Sequence, residues 1–182
     1  MGQRLNIEIR KDDKVLANAY YHWSGYTSSS LRLTEHILNN IEKINYENDI
    51  VKAIKLLETT GAGLTKDELD NLNEDLKSLN FELANSRDDG LIAISEKGIN
   101  ETQDWEEARV EVHLDTQTLK LNLYFEIKED EIDEEYKIAK ASMNYSEVSF
   151  SDFNKVKEEI LEHINNKNYY FEYDNKKYGF IE

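Results

Sequence analysis

Cysteine and proline are both absent from this 182-residue chain, and glycine occurs only 7 times. Without cysteine there is no disulfide framework, no thiol nucleophile and no cysteine-based zinc site. That fits a reducing compartment. Positive charge is also scarce. Lys and Arg total 22 against 38 Asp and Glu, giving a formal net charge of -16 and a pI near 4.7. Phosphate binding relies on Lys and Arg, so general affinity for nucleic acid is disfavoured. No segment approaches the roughly 20 consecutive apolar residues that a membrane helix needs. The opening MGQRLNIEIRK has no apolar signal core. Asn6 stands where a myristoylation motif requires Ser or Thr. The expected location is the cytoplasm, with no membrane partner. Missing proline beside abundant Asn, Lys, Glu, Ile and Tyr reads as the mark of an AT-rich coding genome.

Enough remains to build a core. Hydrophobic residues make up 39% of the chain and aromatics 10%, and each aromatic buries a large area. The length suits one domain.

Leu5, Ile7 and Ile9 alternate with polar residues, and Val15 to Trp23 alternates likewise. With Asp12-Asp13 between them, they predict an N-terminal hairpin. A helical pattern starts near Ser29 or Ser30, with Ser30 as its cap, and its apolar stripe runs from Leu31 to Ile44. A second helix is expected over Asp49 to Glu58, stopped at Gly61-Ala62-Gly63. Thr65 to Glu68 matches a capping box and opens a third helix reaching about Asn80. Leu91 to Ser95 reads as a short strand and 96 to 104 as a polar connection. Ala108 to Leu114 and Leu119 to Ile127 predict a second hairpin. Tyr136 to Tyr145 is a strand or a mixed segment. Ser151 caps a last helix, and residues 169 to 181 form a final hairpin. The expected fold is α+β: an antiparallel sheet built from hairpins, helices packed on one face, and a helical block in the first half. Residues 1–182 form a single domain, within which 30–84 could stand as a helical subdomain.

Residues 20 to 31, YYHWSGYTSSSL, concentrate the most site-like chemistry. Tyr20, His22, Trp23 and Tyr26 offer rings with polar tips. Thr27, Ser28, Ser29 and Ser30 offer hydroxyls at an expected helix start, where backbone N–H groups can receive an anion. The same residues also suit core packing and capping. A serine with His22 supplies triad ingredients, but no nucleophile elbow surrounds it, and hydrolysis ranks last. His22, His36, His113 and His163 show no metal-ligand spacing. Neither a catalytic residue, a metal nor a cofactor is predicted.

Acidic residues cluster downstream. Between Ile99 and Glu135 there are thirteen carboxylates against Arg109, Lys120 and Lys128. Glu126, Glu129, Asp130, Glu131, Asp133, Glu134 and Glu135 form the densest part. Such a surface can draw a protein that is built to hold nucleic acid. It can equally be a solvated connection.

The segments GQRLNIEI, LANAYYHWSGYTSSSL and RDDGLIAIS resemble a family of small phage-encoded proteins, over about a fifth of the chain. Size, acidity and that resemblance make the chain similar in character to anti-CRISPR inhibitors of type II systems. The resemblance implies a non-enzymatic inhibitor that binds the Cas9 effector with its guide RNA and blocks DNA binding or cleavage, in a bacterial host during infection. It transfers no catalytic residue. The expected partner-binding residues are Tyr20, His22, Trp23, Tyr26, Thr27, Ser28 and Ser29 together with the seven downstream carboxylates. The alternative is a small-ligand module that sequesters a nucleotide signal through Thr27 to Ser30.

Overall fold

A computed structural model describes residues 3–103, 106–129, 138–165, 170–173 and 176–181, with side chains described for 3–103, 106–124 and 144–162. The fold is α+β. The elements in order are β1 (Leu5–Lys11), β2 (Lys14–Tyr21), α1 (Thr27–Leu38), α2 (Asp49–Glu58), β3 (Gly63–Leu64), α3 (Lys66–Asn71) and α4 (Glu74–Lys77). Then follow β4 (Leu91–Ala93), α5 (Glu96–Gln103), β5 (Ala108–His113), β6 (Thr118–Glu129), β7 (Ile138–Ser149), α6 (Phe153–Asn165), β8 (Tyr170–Tyr173) and β9 (Lys176–Ile181).

The three expected hairpins form, as β1–β2, β5–β6 and β8–β9, all antiparallel. The first turns on Asp12 and Asp13, both at positive φ (50° and 61°), the geometry of a two-residue hairpin turn. The sheet order is β3-β4-β2-β1-β5-β6-β9-β8, with β7 paired to β6. Two seams run parallel, β1 with β5 and β3 with β4. The sheet is therefore mixed, because these seams join strands distant in sequence where no turn sets the direction.

One face of the sheet is apolar. Leu5, Ile7 and Ile9 share it with Ala17, Ala19, Val110, Val112, Leu119 and Leu121, all fully buried. Leu31 and Ile37 of α1 and Ile54 and Leu57 of α2 close the core. Removing one such leucine costs about 2–5 kcal/mol.

The other face is polar, and much of it is still hidden from solvent. Asn6, Glu8 and Asn18 are completely buried there. The Glu8 carboxylate accepts from Arg10 Nη1 at 2.5 Å and from Gln103 Nε2 at 2.6 Å, with Arg109 Nη1 at 3.6 Å. A buried carboxylate needs several such partners, since losing one leaves an unsatisfied charge. Asn18 Nδ2 donates to Asn6 Oδ1 and to Thr102 Oγ1. Gln103 and Thr102 belong to α5, which thus lies across the polar face. The sequence predicts 96 to 104 as a polar connection. It is a helix because Ser95 caps it, accepting from Gly98 N at 3.0 Å, and because its contacts are hydrogen bonds rather than an apolar stripe.

Other boundaries shift for local reasons. α1 begins at Thr27 and not at Ser29 or Ser30, and Tyr26 at its N-cap makes no side-chain capping bond. It ends at Leu38, where the Asn40 amide donates to His36 O. Ile41 and Ile44 follow outside the helix, half-buried against the core. The helix expected from Thr65 to Asn80 is two, broken at Leu72 (ψ 147°), because Asn73 starts a new N-cap by accepting from Leu76 N.

Candidate functional site

The aromatic segment straddles the end of β2. Alternation sends Tyr21 into the core and Tyr20 to the polar face. Tyr21 is 1% exposed, and its hydroxyl shares a hydrogen bond with Thr60 Oγ1. Burial pushes its phenol well above the ordinary range, with the Thr60 bond opposing. Tyr20 faces outward and shares a 3.1 Å hydrogen bond with His22 Nδ1. The next ring, Trp23, meets His22 edge-on, with centroids 4.8 Å apart and planes at 86°. Trp23 is 51% exposed, the most exposed large hydrophobic residue described.

Tyr20 and His22 form one side of an open cleft of about 690 Å³. Its other sides are Asp67, Glu68 and Asp70 of α3, Lys97 and Glu101 of α5, and Arg4 and Arg87. The volume falls within the range of small-molecule sites. The His22 backbone N–H donates to Arg87 O at 3.2 Å, which pins the Arg87 loop beside the ring. Cations and carboxylates both line the cleft, so it suits a polar guest carrying more than one kind of group.

The hydroxyl half of the segment turns inward. Gly25 N donates to Gln3 O at 2.7 Å, and a Cβ at Gly25 would sit 2.7 Å from Arg4 O. Only glycine permits that approach. Tyr26 is half-buried, bridges to Tyr124 and accepts from Gln3 Nε2 at 3.3 Å. Thr27 is fully buried and donates to Tyr124 O at 2.8 Å. It has no surface to offer a partner, which corrects its place among the binding residues. Ser30 is likewise buried, donating to Ser24 O. The helix-start anion site predicted from Thr27 to Ser30 therefore loses two of its four donors to the fold. Ser28 is exposed and Ser29 half-buried.

The acidic candidates sit elsewhere. Glu126 and Glu129 lie on β6, where Glu126 pairs with Lys140 and Ile181, and Glu129 with Tyr178. Their side chains fall outside those described. Asp130, Glu131, Asp133, Glu134 and Glu135 lie outside the described residues altogether.

Sequence reasoning did not identify Arg4, Arg87, Asp67 or Lys97 as neighbours of Tyr20. They come from four separate segments, and only the β1–β2–β4 pairing brings them together. Among the described residues, no group of three or more His, Asp or Glu could hold a metal ion. No described helix is long and apolar enough to cross a membrane. Compared with family models, curated proteins and solved structures, the chain matches none.

Proposed function

We propose that this chain is a non-catalytic binding protein, a phage-encoded inhibitor of a bacterial defence nuclease of the Cas9 type. The observation that carries the reading is Trp23, half-exposed and packed edge-on against His22, itself a lining residue of the open cleft. An indole kept in one orientation loses little freedom on docking, and aromatic anchors dominate binding energy at protein interfaces. The formal net charge of -16 supports the choice of partner. Nucleic-acid-binding grooves are basic, and a strongly acidic chain is drawn to them at low salt.

The test is binding to purified Cas9 with its guide RNA, read by interferometry at two salt concentrations and by target-DNA cleavage. The expected result is a complex that weakens with salt, lowers cleavage and loses at least about tenfold in affinity with Trp23→Ala. An unbound chain that leaves cleavage untouched at tenfold excess rules this target out.

A second reading rests on the 690 Å³ cleft. There the chain sequesters a small polar ligand, such as a nucleotide, between Tyr20, His22, Arg4 and Arg87. A thermal-shift screen of nucleotides separates the two readings, because a ligand that stabilises the chain and is lost with His22→Ala favours sequestration.

A further inference from the structure

The apolar stripe from Leu31 to Ile44 outlasts its helix. α1 stops at Leu38, and the chain continues in turns. Ile41 N donates to Leu38 O at 3.3 Å, and Lys43 N and Ile44 N both donate to Asn40 O at 3.0 Å. The turns bring Ile41 and Ile44 to a second cavity, of about 580 Å³, between the end of α1, the β5–β6 turn and the start of α6. Leu38, Ile41, Ile44, Leu114 and Phe150 are each half-buried against the core, and each also lines this cavity. The volume is within the range of small-molecule sites, which pair an apolar wall with a few polar groups.

The polar groups here are of one dominant sign. Glu35 is already engaged, since its Oε1 accepts from Lys157 Nζ at 2.5 Å. Lys43 and Lys52 also line the cavity, and neither ammonium has a partner among the described residues. Against them stands only the equally unpartnered Glu42. The uncommitted lining is therefore net positive by one charge, in a chain whose formal net charge is -16. Carboxylates farther off are screened beyond about 8 Å at physiological salt, so the adjacent lysines decide the local sign.

We propose that this cavity binds a small amphiphile with one negative charge, a medium-chain aliphatic carboxylate. The hydrocarbon lies along Leu38, Ile41, Ile44, Leu114 and Phe150, and the carboxylate meets Lys43 and Lys52. A peptide fits less well. The backbone N–H groups of Asn39, Asn40, Ile41, Lys43 and Ile44 all donate within the turns. A peptide backbone brings donors and acceptors that need partners, and a hydrocarbon chain brings none. The site shares no lining residue with the Tyr20 cleft, so the inference depends on neither reading of that cleft.

The test titrates the isotope-labelled full chain with octanoate and follows its backbone amide signals by NMR. Saturable binding with Kd on the order of 1 mM is expected, with the shifts centred on residues 38–45, 114–117 and 150–154. Hexanoate, two methylenes shorter, should bind about tenfold more weakly. Octan-1-ol keeps the chain without the charge and should bind about fivefold more weakly than octanoate. The double variant Lys43→Gln, Lys52→Gln should weaken octanoate by about the same factor and leave octan-1-ol unchanged. Both lysines lie outside the core, so this variant keeps the test valid if Ile44→Ser, expected to weaken both ligands, fails to fold. Four results overturn the proposal: no saturable binding of octanoate; shifts centred elsewhere; octan-1-ol or octyltrimethylammonium binding as tightly as octanoate; or a lysine double variant that binds octanoate as well as the native chain does.

Discussion

Glu68 and Ser95 join α3 to the start of α5, across the α4 helix and the β4 strand that lie between them in sequence. Glu68 Oε2 accepts from Ser95 N at 3.0 Å, and Oε1 accepts from the Ser95 hydroxyl at 2.5 Å. Glu68 is 5% exposed, so the bonds are shielded from water. A carboxylate from α3 thus occupies the place where α5 would otherwise attract an anion. The cleft beside it is left to its side chains.

Removing that carboxylate should loosen α5 and one side of the cleft together. Glu68→Ala is expected to cost about 2–3 kcal/mol, the range for hydrogen bonds to a charged group, and Glu68→Gln less. Urea denaturation measures the loss. Hydrogen exchange should show it concentrated over Glu96 to Gln103, and uniform protection there would contradict the pinning role.

Glu111 links stability to pH. Burial pushes its carboxyl upward, but hydrogen bonds from His113 and Lys120, with the charges of Lys120 and Arg10, outweigh that and hold it below its ordinary value of 4.5. A depressed folded value means the carboxylate stabilises the native state above the unfolded value and stops doing so as pH falls through the folded one. The stability gap between the native chain and Glu111→Gln should therefore be full at pH 6 and shrink below about pH 4.5. Denaturant titrations at pH 6, 4.5 and 3.5 measure it, and a gap that widens on acidification contradicts the assignment.

Two hydroxyls one residue apart should behave oppositely. Thr27→Val removes a buried hydrogen bond to the Tyr124 carbonyl and should cost about 1–2 kcal/mol. Ser28→Ala, on the exposed side of the same turn, should stay within about 0.5 kcal/mol. Thermal melts of the two variants settle the contrast.

Gly25→Ala forces a methyl against the Gln3 and Arg4 backbone. About 2–4 kcal/mol of destabilisation is expected, as for other steric clashes in a packed interior. Trp23→Ala at the neighbouring turn should leave the melting temperature nearly unchanged, because the ring is half in solvent. Equal effects would mean that Trp23 is structural.

Legibility in the sequence followed the range of the forces involved. α2 is readable to the residue, because Asn48 accepts from Ile50 N and Val51 N and the stop at Gly61 is equally local. The Thr65 capping box is half right. Thr65 caps α3, but Glu68 turns away to Ser95, 27 positions on. α5 escapes the apolar pattern because Ile99 is its only buried residue. Within YYHWSGYTSSSL, strand alternation foretells that Tyr20 and Tyr21 diverge. It cannot tell that Thr27 is consumed by a carbonyl 97 positions away. The cleft is invisible for the same reason.

β1 lies between β2 and the parallel β5, whose residues follow about a hundred positions later: Leu5 meets Ala108 and Arg10 meets His113. During synthesis the first hairpin emerges with one edge of β1 open and with Glu8 lacking Gln103 and Arg109. Neither the backbone ladder nor that carboxylate can be completed until more than half of the chain has left the ribosome. Late pairing of this kind slows folding and exposes a strand edge meanwhile. A nascent chain halted before Ala108 therefore presents a ready template for aggregation, and the first strand to be made waits through more than half of the chain for its second partner.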